Sequence, residues 1–187
     1  MKKALLVTTI CLLLIGIVSV MQDREHDELS EIIAFQPDHF DLLHLIEKIE
    51  QISRGTVIEV RYEKMDSMFS MDQTPCVFSV ESITENGVIE YQVNPSDLRI
   101  LSKHKDFSPQ IKSEAPLQGL AIHLKDAVIM AQNFTGGRAL AAEIEEEDGF
   151  LIHTIQLVQD NKVQTITVDP LNGTVFENTD THEYHKG

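Results

Sequence analysis

The second half of this chain repeats the pattern of the first, and that repetition limits the fold more than any other feature. Residues 80–101 (VESITENGVIEYQVNPSDLRIL) lie without a gap on residues 155–176 (IQLVQDNKVQTITVDPLNGTVF) at an offset of 75. Asn86/Asn161, Val88/Val163, Val93/Val168 and Pro95/Pro170 are identical. Apolar faces apolar at Val80/Ile155, Ile83/Val158, Tyr91/Ile166, Ile100/Val175 and Leu101/Phe176. Upstream the offset is 82, which sets Gly55 on Gly137 and Leu42, Leu45, Ile46, Ile49 and Ile52 on Leu124, Ala127, Val128, Ala131 and Phe134. Spacings of three and four residues are helical. The change of offset puts seven extra residues in the first copy, within the loop-like stretch Met65–Thr74. Each copy therefore reads as a helix, a strand and a strand hairpin ending in V-N-P or V-D-P, one structural unit used twice.

Units of about 60 residues are marginal alone, so the two are expected to share a sheet or a core. Residues 1–21 stand outside that core. Lys2 and Lys3 precede Ala4–Met21, 18 residues without a charge, and Asp23, Arg24, Glu25, Asp27 and Glu28 follow at once. This is the pattern of an export signal or a single membrane anchor, with the lysines retained inside and the rest of the chain extracytoplasmic, periplasmic or on the cell-surface side. A cleaved signal would place Ile17 and Ser19 before Val20, a poor fit to the small residues that cleavage wants. Eighteen residues just suffice to cross a bilayer, which favours an uncleaved anchor through residues 4–21. Cys11 follows Ile10 rather than a small residue, against lipid attachment at that position.

The formal net charge is −15, or −17 without Lys2 and Lys3, which repels nucleic acid and anionic lipid headgroups. A basic partner, or none with the charge serving solubility, is the natural inference. Only Cys76 remains outside the apolar segment, so no disulfide can close within the exported part.

Along the chain, 22–38 is an acidic tether and 39–101 the first unit. Asp38 or Asp41 caps a helix running to Ser53, and Gly55 is read as its stop. A strand at Thr56–Lys64 and a hairpin through Glu85, Asn86 and Gly87 follow, and Pro95 ends the last strand. Residues 102–119, with two prolines and three lysines, read as a linker. The second unit, 120–178, has a helix at Ile122–Phe134 and strands at Ala139–Glu146, Phe150–Val158 and Val163–Val168, with Gly173 supplying a turn. Residues 179–187 form a tail without apolar periodicity.

The second unit resembles the PepSY domain family over roughly Leu120–Asn178. The resemblance lies in the alanine-bearing helix (Ala127, Val128, Ala131), Gly136 and Gly137, and VDPLNGTV, where Val168, Asp169, Asn172, Gly173 and Val175 match the family's closing motif. The first unit departs from it, with Asn94 for the aspartate and Leu98 for the glycine. These residues suit a turn by their own chemistry: Asp169 and Asn172 cap it, Pro170 fixes φ and Gly173 accepts a positive φ. The resemblance implies an α+β protein of two PepSY-like units, each a helix packed on an antiparallel sheet. It also implies a non-enzymatic extracytoplasmic binding or regulatory module, with inhibition or modulation of a peptidase as the leading role. The alternative is a membrane-anchored scaffold or regulator of envelope assembly whose partner is a synthase.

Chemistry-bearing clusters are few. Glu143, Glu145, Glu146, Glu147 and Asp148 gather carboxylates on one strand, where Glu143, Glu145 and Glu147 share a face and offer a docking surface for a basic partner. The cluster lacks a calcium-loop pattern. His182 and His185 have a chelating spacing only if helical, and no zinc or cofactor motif occurs, so neither metal nor cofactor is expected. Metal binding through the tail is the remote third reading. G-x-S-x-G and Walker motifs are also absent from the sequence, and Cys76 beside Pro75 reads as core, so no catalytic residue is assigned.

Overall fold

A computed structural model of the chain describes residues 40–64, 76–105, 115–147, 149–160 and 162–177. The apolar segment 1–21, the tether, the insertion Met65–Thr74 and the tail with His182 and His185 lie outside the described residues, as does Asp148.

Helix α1 (Leu42–Ser53) begins where the Asp41 carboxylate accepts the Leu43 N–H, and it buries Leu42, Leu45, Ile46 and Ile49. Helix α2 (Leu124–Thr135) buries Leu124, Ala127, Val128 and Ala131, the same three-and-four stripe 82 residues later. Burying such a stripe is the main source of helix stability in a chain of this kind. The two helices end alike, in a left-handed residue whose N–H returns to the last turn: Arg54 (φ 56°) and Gly136 (φ 75°). Gly55 is therefore not the stop. A Cβ there would lie 2.0 Å from the Ile83 carbonyl oxygen, so the glycine permits a close approach of helix exit to strand.

Four strands follow each helix: β1 (Thr56–Lys64), β2 (Cys76–Thr84), β3 (Gly87–Val93) and β4 (Ile100–Lys105) after α1, and β5 (Arg138–Glu147), β6 (Phe150–Gln159), β7 (Lys162–Val168) and β8 (Val175–Glu177) after α2. Their order in space is β4-β3-β2-β1-β5-β6-β7-β8, antiparallel throughout. Registers repeat residue for residue: Val80 faces Tyr91 as Ile155 faces Ile166, and Phe78 faces Val93 as His153 faces Val168. Both first strands carry an irregularity at the matching place, between Val57 and Glu59 and between Ala139 and Ala141.

This architecture corrects the expectation of two units, each a helix on its own antiparallel sheet. There is one large sheet, joined where β1 pairs with β5, and every described residue belongs to one compact unit. At the joint Val60 faces Ala142, its own counterpart 82 residues on. The reason is physical. A separate half-sheet would leave β1 and β5 as bare edges whose unpaired N–H and C=O groups invite association, and pairing them removes both edges at once. It also fuses two small cores into one apolar cluster that contains Val60 and Ala142 and both helical stripes. The helices meet as well, through an ion pair between Lys125 and Glu47.

The repeat extends to the turns. Asn94 and Asp169 each accept an N–H two residues on, from Ser96 at 2.8 Å and from Leu171 at 2.8 Å. The family-motif residues thus build a turn: Gly173 (φ 73°) donates to the Asp169 carbonyl, Asn172 donates to the Asp169 carboxylate, and Val168 pairs with Val175 across it. In the first copy Leu98 adopts the same left-handed conformation at φ 55° without being a glycine. The stretch read as a linker opens in strand β4, which extends to Lys105 along β3.

Candidate functional site

The face of the sheet that neither helix covers carries a cluster of charged side chains. Strand alternation turns Val60 and Tyr62 toward the helices and Glu59, Arg61 and Glu63 away from them. Glu59 stands directly opposite Glu143 at the β1–β5 joint, with Glu81 beside it on β2. Arg61 Nε lies 2.6 Å from the Glu59 carboxylate, a close ionic contact that lacks hydrogen-bond alignment. Burial outweighs that contact and pushes Glu59 up to about 7, assisted by the neighbouring carboxylates Glu81, Glu143 and Glu63. Glu143 is also raised, first by burial and then by Glu145, while Arg61 and a hydrogen bond from Glu59 oppose the rise. Two carboxyls thus face each other across the joint, and when Glu59 is protonated it can donate to Glu143.

The three glutamates expected to act together follow one another along β5 but differ in their surroundings. Glu143 belongs to the joint, whereas Glu145 accepts a hydrogen bond from the Thr154 hydroxyl and Glu147 lies exposed near the strand end. Glu145, Glu146 and Glu147 form one wall of a groove of about 440 Å³, closed opposite by Ile152, Thr167 and Phe176. No cation pairs with these three glutamates among the described residues. In the first half the same face carries Glu90, which accepts from the Ser79 hydroxyl at 2.8 Å and meets His104 at 2.7 Å.

A second concavity of about 390 Å³ adjoins the groove. Leu120, Phe150, Ile152, Pro170, Leu171 and Phe176 line it, and it shares Ile152, Thr167 and Phe176 with the acidic groove. Phe150 is 72% exposed, Leu171 63% and Phe176 52%, so three large apolar side chains are exposed in one concavity. The motif turn builds one wall of this cleft, since Pro170 and Leu171 belong to it and the Pro170 carbonyl accepts the N–H groups of Ala121 and Ile122.

Sequence reasoning missed Glu59 and Arg61. The signal available was a charged pair in the interior of an otherwise apolar strand (TVIEVRYEK), but its partner Glu143 is 84 residues away and appears only through the joint. The apolar cleft was equally hidden, because Leu120, Phe150 and Leu171 come from three separate segments.

Among the described residues no group of three or more histidine, cysteine, aspartate or glutamate side chains is placed to hold a metal ion. Cys76 is half-buried at the start of β2, and burial together with a hydrogen bond to Cys76 pushes the Tyr62 phenol up. His153 is fully buried, with Nε2 2.8 Å from the Ile122 carbonyl oxygen and Nδ1 without a hydrogen-bond partner among the described residues. Burial holds its imidazole below the ordinary histidine range. Such a group stabilises the fold above its unfolded pKa of ~6.5, and that contribution is lost as pH falls through the folded value. His153→Gln keeps a donor for Ile122 and removes the titration. Urea unfolding should show the variant gaining on the parent as pH drops from about 7.5 to about 5.5; a constant difference would mean that His153 does not resist protonation.

No protein-family model and no curated protein matches the chain. A search of solved structures finds similarity to the crystal structure of a "putative lipoprotein" from Clostridium difficile 630, at 15% identity and a TM-score of 0.39, covering 76% of this chain and 93% of that one. That likeness is too distant to assign a role. Among the described residues no helix is long and apolar enough to cross a membrane.

Proposed function

We propose that this protein is an extracytoplasmic binding module that docks a protein partner through the acidic groove of Glu145, Glu146 and Glu147 and thereby regulates it. The observation that carries the reading is the groove itself, whose three glutamates have no cation partner among the described residues, in a chain whose net charge is −15. Opposite charges across an interface chiefly accelerate association and exclude wrong partners. The location rests on Lys2, Lys3 and the uncharged stretch that follows. The motif turn from Val168 to Val175, with its resemblance to the PepSY family, supports a regulatory role toward a peptidase. The turn residues act by shaping the cleft wall rather than by chemistry.

The test uses the full chain as bait in an envelope extract, with the Glu145→Gln, Glu146→Gln, Glu147→Gln triple variant as its control. A partner captured by the parent should associate several-fold more slowly with the variant at low salt, and the two rates should converge above about 0.3 M, where rim charges are screened. Dissociation should change little. Equal association rates at low salt would overturn the groove as the docking surface. Addition of the purified chain to the captured enzyme then decides its class: a change in peptide hydrolysis supports the peptidase reading, and a change confined to a synthase activity moves the assignment to envelope assembly.

A further inference from the structure

Resting on that reading, we propose that the groove and the apolar cleft are two halves of one site for an extended basic peptide segment, which seats an aromatic or branched aliphatic side chain in the cleft and lysine or arginine residues along Glu145–Glu147. Two independent features meet here. The cleft exposes Phe150, Leu171 and Phe176, which would be costly to leave in water without a use. The groove presents three glutamates with no cation partner among the described residues. The shared wall of Ile152, Thr167 and Phe176 makes them continuous, so one ligand can touch both.

The chemistry selects the occupant. A purely apolar ligand would leave the groove unused, and an anionic surface would be repelled by it. A purely basic peptide would gain only screened rim contacts. A volume of about 390 Å³ suits a single large side chain with its flanking backbone. From Glu145 on β5 to Phe176 on β8 there are three strand spacings, ~14 Å at ~4.8 Å each, so an extended chain at ~3.3 Å per residue places the basic residues about four positions from the anchor. The segment therefore crosses the strands rather than adding to an edge.

Fluorescence anisotropy with labelled synthetic peptides tests this on the full chain. The first peptide has the sequence FLSSGKRK, and the second, SSSSGKRK, lacks the anchor. We expect the first to bind about tenfold tighter or more, as one well-buried apolar side chain warrants. Phe150→Ser with Leu171→Ser, both at largely exposed positions, should remove that advantage at low and high salt alike. Glu145→Gln with Glu147→Gln should weaken both peptides about threefold or more at ~20 mM salt and leave them unchanged at ~300 mM. If the two peptides bind equally, or the cleft variant leaves the first unaffected, the bipartite site is overturned while the acidic-groove reading stands. If the first peptide binds through the cleft with no response to salt or to the glutamate changes, the groove reading falls, and the bipartite site with it. Sedimentation showing a dimer of the parent that the cleft variant dissolves would assign the cleft to a second copy and overturn the proposal.

Discussion

Replacing Glu59 with glutamine is expected to stabilise the protein by ~3 kcal/mol at about pH 8 and by less than ~1 kcal/mol at about pH 5. Glu59 is buried at the β1–β5 joint, opposite Glu143 and beside Glu81, and its pKa is raised from 4.5 to about 7. A carboxyl whose folded pKa is raised supports the fold fully below its unfolded pKa, and that support is lost as pH rises through the folded value. The window for Glu59 therefore runs from about 4.5 to about 7. Above it, ionised Glu59 and Glu143 repel across the joint, with Arg61 as a partly exposed counter-ion 2.6 Å from Glu59. Glutamine keeps a donor for Glu143 and cannot ionise. Urea denaturation of parent and variant at half-unit pH steps reads the difference directly, and His153 cancels because both proteins contain it. A gap between the two curves that is independent of pH would show that Glu59 ionises freely.

The second expectation sets the two copies against each other. Gly55→Ala should cost at least ~3 kcal/mol, while Gly137→Ala, the equivalent change 82 residues later, should stay within ~1 kcal/mol of the parent. A Cβ at Gly55 would lie 2.0 Å from the Ile83 carbonyl oxygen and 2.9 Å from Ser82 Oγ, and the backbone of a central strand cannot retreat by the ångström or more required. At Gly137 the matching contact, to the Val158 carbonyl oxygen, is 3.1 Å, and a shift of a few tenths of an ångström relieves it. Removing a glycine also narrows the unfolded ensemble, which offsets part of the smaller strain. Chemical denaturation of the two single variants settles the matter, and failure of Gly55→Ala to fold at all is the same result in its extreme form. Equal costs at the two sites would mean that the copies pack their helix exits identically.

Both expectations depend on features of very different visibility. The helical stripes at Leu42–Ile49 and Leu124–Ala131, the Asn86-Gly87 turn and the alternation of β6 are local patterns with periods of 3.6 or 2, and the residues that set them lie within one element. The offsets of 75 and 82 carried more, because equal spacing in two copies requires equal registers, and Val80–Tyr91 and Ile155–Ile166 do pair alike. Asp41 as a cap and Gly173 as a positive-φ residue follow from side-chain chemistry within three residues of each. Arg54 shows where such reasoning stops: the left-handed position fell one residue before the glycine, because Gly55 was needed for the approach to Ile83.

What the amino-acid order determined by itself is thus the helix faces, six of the eight strands, the turns and the repetition of all three. What only the tertiary structure decided is which strand edges meet. An unpaired edge of β1 offers the same ladder of N–H and C=O groups to any antiparallel partner, so nothing within TVIEVRYEK names β5 as its neighbour. That pairing merged the two expected helix-on-sheet units into one sheet and set Glu59 against Glu143. The cleft arises in the same way, from Leu120, Phe150 and Leu171 brought together by the strand order rather than by any spacing along the chain. Burial, and with it the raised carboxyl and the exposed apolar wall, depends on neighbours that are distant in sequence, and a local period carries no information about them.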